Sequence, residues 1–573
     1  MNARDNRVVG VERGPFACVV VGGSVVVAGV ATHAPLWASA IVAVALLLTV
    51  TVRLRGRTPV RWFLDWLDYR LGRAERAAAL AVPASVRDIQ VAAGACGVRE
   101  DGDILIAMIQ LAPNLDLPTV IAEQTVYTED TVPVDALLPM LDQYGIAVDI
   151  DIVTTGQRVR SAGSYSMLYD QLIGSNPVIG NRLTWLVVRL DQERNLPALS
   201  RRGPCSVVAP KALATAAHRI AGRLRERGIA AHALPAEALV DAVRMLHAGI
   251  EPSDVREGWN SLRTPVPGRH VTSFGIDWSE LEGVGLDDCW TWNNGRTTLV
   301  VSLSAVDSGP RAMVRYVGPA TPEVLPDYLR RLPGRQLTAL RATLPTGTSV
   351  RDLAQDEKAV EAAAADQAAG LSVAIGPNGQ ILGAISGQPR HRLALPLFDP
   401  ARYNPRRRSI DVHAQLSVAQ QIILRATVVG ADVEVHTNRP QRWQHLVSAV
   451  GDPRSLRLVG DAGDGRDRQE SREDATIVVF DQLPAHASAA PTTVSISDPG
   501  VRRRRTVDLV IEQVSDTTVE VNIPMRTVRV NLIEPRGETR YLDFAEPQGS
   551  VSAPPMTSVP TMPVSRPVGR RIG

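Results

Sequence analysis

The sequence predicts a membrane protein with two N-terminal transmembrane helices and a cytoplasmic α/β part, a mixed sheet with flanking helices, arranged in two units. Three observations carry that expectation. Gly14 to Val52 contains no Asp, Glu, Lys or Arg. Downstream, short apolar runs alternate with amphipathic ones, the pattern of strands feeding helices. An Arg-rich segment, Arg402 to Ser409, separates two such alternating stretches.

Residues 1–13 read as a short polar tail. Over residues 14–52 a single helix would far exceed the ~30 Å hydrocarbon core at ~1.5 Å per residue. Thr32-His33-Ala34-Pro35 divides the stretch into Phe16–Ala31 and Leu36–Val52, which suggests a hairpin of two short spans. Arg4, Arg7 and Arg13 precede it and Arg53, Arg55, Arg57 and Arg61 follow it, which puts both ends on the cytoplasmic side of the inner membrane. Two other readings stand beside this one. Ala38-Ser39-Ala40 imitates a signal-peptide cleavage site, and the many Gly and Ala residues suit a buried soluble hairpin.

Residues 53–85 hold an expected juxtamembrane amphipathic helix, Pro59 to Ala81, with Trp62, Phe63, Trp66, Leu67 and Leu71 on one side and Asp65, Asp68, Arg73, Glu75 and Arg76 on the other. Trp62, Phe63, Trp66, Leu67 and Arg70 form the candidate docking site. Aromatics beside arginine suit the lipid headgroup zone or a partner helix. Packing on the chain's own domain is the alternative.

Residues 86–310 form the first expected α/β domain. It opens with strands Asp88–Gly97 and Asp103–Leu111, passes a helix at Val134–Tyr144 and strand Ile146–Val153, and reaches LTWLVVRL, Leu183 to Leu190. Helices at Lys211–Arg227 and Ala236–His247 follow, then a strand at Thr297–Ala305. Residues 311–400 read as a continuation or small subdomain, with an Ala-rich helix at Glu357–Ala369 and a hairpin turning at Pro377-Asn378-Gly379. Residues 401–545 read as the second unit, built from Ser409–Gln415, helix Ser417–Thr427, Val433–Thr437, helix Arg439–Val450, Ala475–Phe480 and closing strands from Thr493 to Ile533. Residues 546–573 are rich in Pro, Ser, Thr and Met and read as a disordered tail.

Composition excludes several functions. The chain has 573 residues and a net charge of +2, so no global field selects nucleic acid. Lys211 and Lys358 are its two lysines, and neither lies in the GxxxxGK[ST] setting that a phosphate-binding loop needs. The motifs GxSxG and HExxH are absent, the histidines are scattered, and four distant cysteines form no CxxC. No catalytic residue, cofactor or metal is expected. Arg406–Arg408 and Arg502–Arg505 read as solvated loop tips, or contacts to acidic protein surfaces, since no aromatics interleave with them.

Two DxD patterns remain, Asp101-Gly102-Asp103 and Asp149-Ile150-Asp151. In the second, strand alternation puts both carboxylates on one face, where they could hold Mg²⁺ and a nucleotide sugar. That supports an alternative, a membrane-tethered glycosyltransferase. The plainer reading is two acids on a solvent face or capping a turn.

The hairpin, the Trp/Arg helix, IDIVTTGQRV (Ile150–Val159) and NRLTWLVVRLDQERNLPAL (Asn181–Leu199), taken in that order, resemble the EccE family of the type VII (ESX) secretion systems of mycobacteria and related actinobacteria. Gly156, here expected in a turn, and Trp185, Arg189 and Asp191 stand at the matching places. The resemblance implies a non-catalytic structural subunit of an inner-membrane secretion complex, assembled with EccB, EccC and EccD and in contact with membrane lipids. It also implies that ATPase activity resides in EccC, which agrees with the missing phosphate loop.

Overall fold

A computed structural model of the chain describes residues 85–542 apart from 124, 161, 162, 164, 282–284, 292–294, 307, 308, 323, 354–369, 460–474 and 502–505. It also describes residues 9–11, 23, 41, 52–54 and parts of a helix between 62 and 78. The expected fold class is corrected here. The described chain is dominated by β-sheet with few helices, and no helix among the described residues is long and apolar enough to cross a membrane. Most of the stretch expected to form two spans lies outside the described residues. Its flanks are strands, because Val9–Val11 pairs antiparallel with Val52–Leu54 and so brings the two ends of the apolar stretch together. The helix expected at Glu357–Ala369, the Arg502–Arg505 run and the C-terminal tail also lie outside them.

Two twelve-stranded sheets organise the rest. In the first, all pairings are antiparallel, and Asp149–Gln157 lies at the centre between Asn181–Asp191 and Arg296–Leu303. Ile150 and Ile152 point to the core under helix Cys205–Glu226, while Val153 points to the core under helices Ala236–Leu246 and Gln336–Ala342. Leu186 and Val188 face the first core, and Trp185 and Val187 the second. A strand covered on both faces loses the apolar/polar alternation. That is why LTWLVVRL is a nearly continuous apolar run.

The second sheet is mixed. Leu456–Val459, Val433–Thr437, Ile477–Asp481, Thr492–Ser497, Arg408–His413 and Leu509–Ser515 lie side by side in parallel. Beyond them Thr518–Ile523, Arg526–Leu532, Gln380–Ile385, Gln388–Leu395, Thr119–Ile121 and Val126–Tyr127 continue antiparallel. Helix Leu416–Val428 is buried over nearly its whole length. Parallel strands need such crossovers, and the alternating pattern in this part of the sequence predicts them.

Several local expectations also change. The helix expected at Val134–Tyr144 is two single 3₁₀ turns, Val134–Ala136 and Leu138–Met140, followed by a tight hairpin. Pro139 lacks a backbone donor that a continuous helix would use there. Ser372–Ala374 pairs with Thr131–Pro133 instead of folding back on Gln380–Ile385. Gly156 lies within the central strand, not in a turn, and a Cβ there would meet the Asn181 carbonyl oxygen at 2.6 Å. Arg408 is buried, not solvated: it donates to the carbonyls of Leu115 and Pro396 and pairs with Asp116 at 3.1 Å.

Candidate docking face and acidic pair

The helix between 62 and 78 is held at the edge of the first sheet by residues seven apart. A spacing of seven returns to almost the same side of an α-helix. Trp62 packs on Trp259 with ring centroids 5.8 Å apart, and Tyr69 meets the same indole edge-on at 5.4 Å. The Tyr69 hydroxyl donates to the Glu257 carbonyl at 3.2 Å, and Arg76 reaches the Glu257 carboxylate at 3.4 Å. Trp62, Tyr69 and Arg76 therefore clamp one side of the helix to the chain's own sheet.

The flank turning away from that clamp stays open. Phe63 is 59 %, Trp66 45 % and Leu71 74 % exposed. Phe63 and Trp66 stack with centroids 6.0 Å apart, and the Arg70 guanidinium lies 5.7 Å from the Trp66 ring. Leu67 is half-buried. Of the five candidate docking residues, Trp62 belongs to the clamp, and Phe63, Trp66 and Arg70 to the open flank. Sequence reasoning missed Tyr69, Arg76 and Trp259; the repeat Trp62, Tyr69, Arg76 was the available signal.

The acidic pair is committed elsewhere. Asp151 is fully buried and pairs with Arg189, which also donates to the carbonyls of Thr346 at 2.8 Å and Leu344 at 3.2 Å. Asp149 accepts from Arg194 at 3.0 Å. The two acids share a strand face, as alternation predicts, but Asp151 is neither solvated nor capping a turn. A cation placed here would sit beside two arginines. Asp101 likewise accepts from the Gly347 backbone N–H at 2.6 Å and lies 3.6 Å from Arg341. Among the described residues no group of three or more His, Cys, Asp or Glu side chains could hold a metal ion.

The other residues that carry the resemblance are framework. Trp185 is buried in the core under helix Ala236–Leu246. Asp191 accepts from the Arg194 backbone N–H at 3.0 Å and so shapes the turn after its strand. Burial lifts the Cys96 thiol to about 12, with Asp88 adding to the effect, so this cysteine is inert.

Residues 178–276 match the family model described as "Putative type VII ESX secretion system translocon, EccE". The chain is 26 % identical to ESX-2 secretion system protein EccE2 of Mycobacterium tuberculosis over 78 % of its own length and 82 % of the relative's. With ESX-5 secretion system protein EccE5 of Mycobacterium marinum it shares 29 % identity over 54 % of its length and 79 % of the relative's. Against ESX-1 secretion system protein EccE1 of Mycobacterium tuberculosis the figure is 31 %, over 34 % of this chain and 42 % of that one. The family match spans Trp185, Arg189 and Asp191, whose structural roles are now in view, and over that stretch the chain is similar to the EccE proteins of ESX secretion systems.

Proposed function

We propose that this chain is a structural subunit of a type VII (ESX) secretion machine, working through surfaces and not through a reactive centre. The observation that carries the reading is the two-sided helix. One side is clamped on Trp259 and Glu257, while Phe63, Trp66 and Leu71 are presented outward. Burying such side chains contributes roughly 1.5–3 kcal/mol each, so a rigidly held row of them is a docking element. Its partner in this reading is another membrane component of the machine of the EccB, EccC or EccD type, with lipid headgroups bordering the contact and the two sheets on the cytoplasmic side. The match of residues 178–276 to the EccE family model and the relatives' names as secretion-system proteins support the reading. The commitment of Asp149 and Asp151 to arginines removes the support that a sugar-transferring alternative had.

The test is extraction from native membranes in mild detergent with Phe63→Glu and Trp66→Glu combined. We expect the variant to fold, because neither side chain belongs to the clamp, and to separate from the high-molecular-weight complex with loss of export. Co-migration of the variant with the complex, with export intact, would overturn the reading.

A further inference from the structure

The first sheet ends on the docking-helix side at Arg256–Glu257 and on the other side at Val86–Val91. Near that second edge, helix Cys205–Glu226 packs its apolar side on the sheet and turns a basic side outward. Residues 201–227 hold seven Arg and Lys against Glu226 alone, in a chain whose net charge is only +2. Lys211, Arg219, Arg223 and Arg227 are exposed and stand four apart, with Thr215 completing the row. Glu226 engages Arg223 at 2.9 Å with both side chains largely exposed, where such a pair contributes little.

A second feature fixes the same surface. Tyr144 and Gly145 form the two-residue tip of the Asp142–Ala147 hairpin with φ of 57° and 78°. Asn-Gly is the usual choice for such a tip, yet here an aromatic ring occupies the first place and is 79 % exposed. The Arg219 guanidinium stacks 4.5 Å from that ring, and Arg202 donates to the Tyr144 carbonyl at 2.7 Å. Two arginines of the basic surface are thus held in place before any partner arrives.

We propose that this helix face binds an acidic polypeptide segment. The row advances by about 40° at each four-residue step, so it winds about 160° around the helix from Lys211 to Arg227. A flat headgroup plane meets only part of such a row. A ridge of every fourth residue instead fits the groove of a second helix, and arginine matches carboxylates in a two-pronged geometry. Single-stranded nucleic acid is bound on successive aromatic platforms, whereas Tyr144, with Arg219 against its ring, is a single one at the side of the row. The binding surface is independent of the docking flank at Phe63 and Trp66.

The test uses the detergent-solubilised full chain with poly-L-glutamate as the probe, alongside phosphatidylglycerol vesicles and an RNA oligonucleotide. We expect binding of poly-L-glutamate that weakens with salt, and a loss of about tenfold or more in the combined variant Arg219→Glu, Arg223→Glu and Arg227→Glu. The melting temperature of that variant should match the parent, since the three side chains are exposed. Changing Arg502, Arg503, Arg504 and Arg505 to Gln should leave binding unaltered. The proposal is overturned if the parent does not bind, if the triple variant binds equally well, if the Gln variant loses as much, or if vesicles or RNA are what the triple variant stops binding. The readout is on the purified chain, whereas the docking test reads assembly, so each can fail without the other.

Discussion

The first sheet contains, and the core of the second holds, a buried arginine paired with a carboxylate, and the pairs are built differently. In the first sheet Asp151 and Arg189 lie on neighbouring strands that are already joined along their length by backbone pairing. In the second, Glu538 arrives from the C-terminal end of the described chain, fully buried, and accepts from Arg425 at 2.9 Å, from Gln421 at 2.8 Å and from the Tyr165 hydroxyl. Arg425 in turn donates to the carbonyls of Ile381, Leu382 and Ile533. One pair reinforces an existing contact, whereas the other joins helix Tyr165–Ile173, helix Leu416–Val428 and the C-terminal turn. An ion pair matters in proportion to what else holds its partners together.

That comparison can be broken by mutation. Glu538→Ala should have the largest effect, about 5 kcal/mol, because it leaves a buried guanidinium without its carboxylate, takes the acceptor from the Tyr165 hydroxyl and unties the C-terminal turn from both helices. Urea denaturation should show the loss, and hydrogen exchange should show it concentrated in Tyr165–Ile173 and Leu416–Val428. Asp151→Ala should be less damaging, about 3 kcal/mol in the same assay, since the two strands that carry the pair keep their backbone ladder. Equal losses, or the reverse order, would show that the surroundings of the pair do not set its weight.

A smaller effect belongs to the region between the sheets. Asp130 precedes the Thr131–Pro133 strand and accepts from the Asn114 backbone N–H at 3.2 Å. Burial raises its carboxyl from 3.8 to about 6, against the opposing pull of that N–H and of Arg182. The folded state therefore holds this proton more tightly than the unfolded chain. Stability gained from Asp130 is present below about pH 4 and is lost as pH rises through about 6, a change of at most about 3 kcal/mol. Asp130→Asn should flatten the stability profile over that window, as read from melting temperatures at successive pH values.

Legibility followed the range of the interactions. The crossover helix Leu416–Val428 and strand Val433–Thr437 stand within a residue of where the sequence pattern puts them, because both depend on local periodicity and burial. Thr119–Ile121 could not be placed in the same way, since it pairs with Arg392–Ala394 far along the chain. The acids of Asp149-Ile150-Asp151 looked available because their partners, Arg189 and Arg194, lie 38 and 45 residues further on. The candidate docking residues were half legible. Their aromatic character is visible in one helix, but Trp259, which selects the buried side, belongs to another part of the chain.

The sequence by itself determined the resemblance to EccE proteins, the absence of a phosphate-binding lysine, and the runs of strand and helix in the 401–545 region. Composition and short-range periodicity suffice for these. Tertiary structure alone decided that β-sheet dominates and that Asp149 and Asp151 are neutralised by arginine. It also decided that the helix between 62 and 78 keeps Trp62 and Tyr69 for its own sheet while offering Phe63 and Trp66 outward. Each of those outcomes depends on which distant side chain comes within a few ångströms, and contact energies at that range act only after the chain has folded.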